Sequence, residues 1–160
     1  MRGNLKMKRL NNKGFTLIEL LAVIVILAIV VAITIPAVLS SINSARSSAF
    51  KTTAKTVADW AEREYQAMLV NNSDIQKVDA SFQSACSTIL LDGSGGTCDL
   101  TDANKRKAFL TAAGVNPDNY SDVSVEIKNN GRACVILTAA AGGDYDNEKN
   151  KQAKSPACSS

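Results

Sequence analysis

Histidine is absent from all 160 residues. That removes Ser-His and Cys-His nucleophile pairs and every His-ligated metal site. The usual general base is missing with it, so an enzyme is not expected. Proline is scarce, at 3, and aromatics make up only 5% of the chain. Acidic side chains are missing from residues 1–14, which carry Arg2, Lys6, Lys8, Arg9 and Lys13. The four cysteines, Cys86, Cys98, Cys134 and Cys158, form no C-x-x-C pair. Structural zinc usually draws on such pairs and is not expected. No metal or cofactor is expected at all.

The formal charge of +3 belongs to the first residues. Of 18 basic groups, those five precede Phe15, leaving 13 against 15 acidic ones and a net of −2 for residues 15–160. A basic cluster beside an apolar segment sets membrane orientation. Nucleic acid is not an expected partner of this chain alone.

The apolar segment runs from Phe15 to Leu39, broken only by Thr16, Glu19, Thr34 and Pro36. As a helix, its residues span about 37 Å, more than the roughly 30 Å hydrocarbon core. An ordinary secretory signal has a shorter core and a small-residue site after it. Here the exit, Thr34-Ile-Pro-Ala-Val-Leu39, has no such pattern, and the small residue, Gly14, comes before the run. The basic end stays in the cytoplasm, and the rest is exported.

Between Ser40 and Val70 there is no proline or glycine. Phe50, Ala54, Val57, Ala58, Ala61, Tyr65, Met68 and Leu69 recur at intervals of mostly three and four. This predicts one helix whose second half is amphipathic and supports a domain. Pro36 predicts a kink or local loosening inside it. A second helix is expected over Ile75–Ile89, capped by Ser73 or Asp74, and then a glycine loop, Asp92–Gly96. That loop lacks the lysine and following helix of a phosphate cradle. Thr101 is expected to cap a short helix through Ala113 that Gly114 closes. Val123–Ile127 and Ala133–Thr138 read as strands joined by a tight turn at Asn130-Gly131, with a further strand around Tyr145. The tail from Asn147 reads as a charged loop that Cys158 ties down.

An even cysteine count in a small polar domain beyond a membrane segment reads as two disulfides. Four cysteines allow three connectivities. Asp144–Glu148 clusters carboxylates but lacks the glycine and distal glutamate of a calcium loop, so a solvated acidic loop is expected. Asn71-Asn-Ser73 and Asn119-Tyr-Ser121 match a glycosylation sequon, a weak signal.

Glu19 stands four residues inside the apolar run, where an ionised group is costly, at least about 2.5 kcal/mol. With its surroundings, Lys13-Gly-Phe-Thr-Leu-Ile-Glu-Leu20, it resembles the class III signal of type IV pilins and related filament subunits. The resemblance covers about residues 8–50 and combines the basic leader, Gly14, Phe15, Glu19, the aliphatic run and Pro36. It implies an α+β pilin fold: a long N-terminal helix, its second half packed on a small antiparallel sheet, with a helical connection between them. The implied domains are a cleaved leader (1–14), a transmembrane and filament-core helix (15–39), its amphipathic continuation (40–70) and an extracellular head with two disulfides (71–160). A prepilin peptidase would cut after Gly14 and methylate Phe15. Met7, a second start, would give an eight-residue leader; either leader is similar to the type IVa group.

The resemblance further implies that an assembly platform and ATPase extrude the membrane-held subunit into a helical filament of its own copies on the bacterial surface. Glu19 would pair with the Phe15 amine of a neighbour, and Pro36 would mark where helices loosen on packing. Adhesion, twitching, aggregation and DNA uptake all use such fibres. Cys86–Cys98 and Cys134–Cys158 is the favoured pairing, the second similar to the disulfide-bounded C-terminal region of many pilins. The alternatives are a pseudopilin of a type II secretion or competence machine, and a single-pass membrane-anchored binding module in which Glu19 is incidental.

Overall fold

The computed structural model describes residues 14–70, 78–89, 94–146 and 151–159. The expected basic leader, the Met7 start, the cap at Ser73 or Asp74, the sequon at Asn71 and the Asn147–Glu148 carboxylate segment lie outside these residues. The chain divides into two units, Met1–Ser41 and Ile42–Ser160. The architecture is α+β, with a long apolar N-terminal helix and a four-stranded antiparallel sheet, the plan of a pilin fold.

Helix α1 spans Leu17–Val70. In its first part every large aliphatic side chain is exposed, from Leu17 through Ile42. In its second part Phe50, Ala54, Val57, Ala58, Ala61 and Tyr65 are buried, as their spacing predicts, and Met68 and Leu69 are partly buried. Trp60 joins them, meeting Phe109 edge-on at 4.8 Å and Phe82 at 5.8 Å. Trp60 adds one more buried position to those read from the spacing. Phe50 stacks on Tyr145 at 4.7 Å and lies 6.1 Å from Tyr120. Tyr145 therefore belongs to a turn that packs its ring on the helix, and the strand expected around it is not there.

Helix α2 is shorter than expected, Ala80–Ala85, and its cap is Asp79, whose carboxylate accepts from the Ser81 N–H at 2.8 Å. The Asp79 N–H in turn donates to Glu64 of α1 at 2.8 Å, which fixes the entry to α2. Helix α3 spans Ala103–Ala112. Its cap is Asp102, whose Oδ1 accepts from the N–H groups of Asn104 and Lys105 at 2.8 and 2.9 Å. Thr101, the expected cap, instead donates its hydroxyl to Asp99 at 2.6 Å. A carboxylate one residue closer to the helix takes the two orphan N–H groups. Gly114 follows at φ +77°, as a helix-ending glycine should.

The sheet order is β1 (Gly96–Thr97), β2 (Tyr120–Ile127), β3 (Ala133–Ala139), β4 (Gln152–Lys154). Strand β2 begins three residues before the alternating run, because a bulge between Tyr120 and Asp122 lets Tyr120 and Val123, three apart, both face the core. The hairpin turn sits one residue from its expected place. The Gly131 N–H donates to the Lys128 carbonyl at 2.8 Å and the Lys128 N–H to the Arg132 carbonyl at 2.9 Å. Asn129 and Asn130 are thus central, and Gly131, at φ +74°, forms the bulge that restores the strand twist. The turn is clamped to α1: Glu62 accepts from the Arg132 guanidinium at 3.1 Å and from the Ala133 N–H at 3.0 Å.

Strand β1 lies where a plain glycine loop was expected. It pairs with the end of β2, Gly96 opposite Ile127. Gly95 makes this approach feasible: at φ +75°, a Cβ there would lie 2.1 Å from the Ile127 carbonyl oxygen.

Candidate functional site

The residues singled out by the sequence lie at the start of α1, further along it at Pro36, and in the cystine-bearing head. At the start of α1, Gly14 and Phe15 precede the helix and Thr16 caps it. Glu19 Oε2 accepts from the Thr16 N–H at 2.8 Å and from the Thr16 hydroxyl at 2.7 Å. The Glu19 N–H donates back to Thr16 Oγ1 at 3.3 Å. This is a reciprocal capping box, and its Thr16-Leu-Ile-Glu19 spacing is a T-x-x-E signature that the sequence reading passed over. Both donors to the carboxylate land on Oε2.

Phe15 is 91% exposed. A Cβ built on Gly14 meets nothing within 4 Å, and Gly14 is not among the glycines of positive φ. Nothing in the described fold therefore demands glycine at this position.

Pro36 lies inside α1, which stays helical across it. Proline has no N–H for the Ala32 carbonyl, so one rung of the helix is missing there. Two residues earlier, the Thr34 hydroxyl donates to the Val30 and Val31 carbonyls at 3.0 and 3.3 Å, which occupies a polar side chain on an apolar surface. By length and composition the apolar part of α1 suffices to cross a membrane, and none of it is buried.

In the head, Cys86 bonds Cys98 and Cys134 bonds Cys158. The first bond joins the C-cap of α2 to the residue after β1, whose N–H donates to the Val125 carbonyl at 2.9 Å. The second joins β3 to the short 3-10 turn Pro156–Ser159. Between them Ser155 is buried; its Oγ accepts from the Val135 N–H at 2.9 Å and donates to the Ala133 carbonyl at 3.0 Å. The tail read as loop thus contains β4 and a docked turn.

The described acidic residues of Asp144–Glu148 are committed locally. Asp144 accepts from the Asn119 amide at 2.9 Å, which also engages the second sequon's asparagine. Asp146 accepts from the Gly142 N–H and from Lys151, and the first of these, then the second, holds its carboxyl below the usual range. Among the described residues no group of three or more Asp, Glu, Cys or His is placed to hold a metal. The Ser81 hydroxyl depresses Asp79, and the Thr101 hydroxyl depresses Asp99. Burial pushes the Tyr120 phenol well up. These shifts arise from hydrogen bonds at caps and in a turn, and from burial in the core.

Residues 9–35 match the prokaryotic N-terminal methylation motif, the class III prepilin signal of type IV pilins and pseudopilins. No curated protein and no solved structure matches the chain. The motif supports a type IV pilin-like or pseudopilin subunit, a structural role, a membrane-anchored precursor and processing by a prepilin peptidase.

Proposed function

We propose that the chain is a structural subunit, and the abundant one, of a type IV pilus. It is made as a single-pass membrane precursor, cut after Gly14 by a prepilin peptidase and methylated on Phe15. An assembly platform and ATPase then draw it into a helical filament of its own copies. The observation that carries this reading is the methylation motif at residues 9–35, which runs into the first part of a helix where every large aliphatic side chain from Leu17 through Ile42 is exposed. Such a surface needs lipid first and neighbouring helices afterwards.

Two details support the roles of single residues. Glycine at position 14 answers to no contact among the described residues, which supports an external reader of the sequence, the peptidase, as its reason. Glu19 holds Thr16 through Oε2 alone, so Oε1 is left for the charged amine that cleavage creates on Phe15 of a neighbour. A subunit docked out of register forgoes that charge-assisted bond. The two disulfides favour a durable extracellular fibre over an envelope-bound pseudopilus, in which the same motif would serve.

The deciding measurement is the intact, non-reduced mass of the protein from a sheared surface fraction. The expected species starts at Phe15, carries one added methylene unit and lacks four hydrogens. A chain retaining Met1 or Met7 at its N-terminus, found only in membranes, refutes the proposal and supports a plain anchored module.

A further inference from the structure

Three of the described lysines of the head sit beside a carboxylate. Lys105 pairs with Asp99, Lys107 with Asp118 and Lys151 with Asp146. Lys51 and Lys154 make no ion pair among the described residues, and they line the same cleft. Its volume is about 490 Å³, and Lys55, Thr52, Ser155, Pro156 and Cys158 complete its walls with them. Lys51 and Lys55 stand one helical turn apart on α1 and face Lys154 at the end of β4. Lys55 reaches Asp59 at 2.6 Å, but both side chains are about half exposed, so that pair is open to exchange with a stronger anion.

The cleft walls are fixed. Lys154 lies opposite Ile136 in the β3–β4 register, and the next residue is the buried, doubly bonded Ser155. Cys158 is tied to Cys134. The hydroxyls offer little to a ligand, since Thr52 donates to the Ser48 carbonyl at 2.9 Å and Ser155 is engaged on the other side. Three of the residues that line this concavity are lysines, and two of them pair with no carboxylate among the described residues. A single carboxylate would meet one of them; a compact group with several charges meets all three and gains from each.

We propose that this cleft binds a multiply charged oxyanion of the phosphate class, either free or as a lipid headgroup. The site uses only residues of the second unit and is independent of how the first is processed or assembled.

The test is calorimetric titration of tripolyphosphate into the full chain in a neutral detergent, at low salt. Saturable binding is expected that weakens about ten-fold in K51A/K154A, returns in K51R/K154R and is unchanged in K105A/K107A. Repeating the titration in nanodiscs of phosphatidylcholine with and without phosphatidic acid, whose headgroup is a phosphomonoester that can carry two charges, separates the sources. Competition by the anionic lipid supports a headgroup, and equal affinity supports a free ligand. Binding that survives in K51A/K154A, falls equally in K105A/K107A, or is seen with an oligo-aspartate peptide but not with tripolyphosphate overturns the proposal.

Discussion

Removing the Cys134–Cys158 bond as C134S/C158S isolates what that cross-link contributes. The two cysteines are 24 residues apart, against 12 for Cys86–Cys98. Loop-closure entropy for those lengths gives about 3.4 and about 2.8 kcal/mol at 25 °C. The folded head has other reasons to keep its C-terminal turn in place. The Ser155 hydroxyl bonds both Val135 and Ala133, and the Ser155 N–H donates to the Val135 carbonyl at 2.8 Å. The variant should thus stay natively folded, with the loss falling on the unfolded chain. The reporter is built in: Trp60, the one tryptophan of the sequence, is buried between Phe82 and Phe109. Urea titration of the full chain in detergent, followed by Trp60 fluorescence, should show the midpoint falling by about 1–3 M with the slope little changed. The fall should be slightly smaller for C86S/C98S. A C134S/C158S midpoint within about 0.3 M of the parent refutes the loop-closure reasoning.

Four further outcomes are expected. Gly14→Leu should block maturation, since a larger residue occupies the site read by the peptidase; a precursor that still reaches the shorter mass contradicts this. Glu19→Ala should mature normally yet give few sheared fibres, and wild-type fibre yield would remove Glu19 from assembly. Asp102→Ala should cost about 1 kcal/mol by stripping the cap from α3, read as a lower urea midpoint by Trp60 fluorescence. An unchanged midpoint would show that α3 does not depend on that cap. Asp79, Asp99 and Asp146 all have carboxyl groups held below the ordinary value of 3.8, so their contribution is complete above that value and is lost as pH falls through the lower folded values. Head stability should therefore be level from neutral pH to about 4 and decline below it. A decline beginning near pH 6 would need another titrating group, and the chain has no histidine to supply one.

The parts of this protein legible in its sequence are those with a period or a fixed spacing. The alternation of Val123, Val125 and Ile127, the three-and-four spacing from Phe50 to Tyr65, and the uninterrupted aliphatic run each state their own geometry. What was misread depends on contacts across the fold. Strand β1 exists because Gly95 lets the chain approach Ile127, and nothing local announces it. Strand β4 is three residues held by β3 and Cys158, too short for alternation to register. Tyr145 looked like a strand residue by propensity, yet its ring is held by Phe50, far away in sequence. The cap of α3 was misplaced by one residue because Thr101 and Asp102 stand side by side, and only geometry decides which oxygen meets the free N–H groups. At the start of α1, by contrast, the T-x-x-E spacing of Thr16 and Glu19 is a local signal that states the capping box directly.

The two outer strands of the sheet, β1 with two residues and β4 with three, have a consequence for life in a crowd. A protein displayed side by side with many copies of itself is exposed to the commonest failure of β proteins, the zipping of one sheet onto the next through unpaired edges. Here each edge offers too few peptide groups to template such a join, and Lys154 places a charge on one of them. Copies can be brought close without fusing into amyloid-like ribbons. Their association is left to side chains, which can be arranged to close in one way and come apart again.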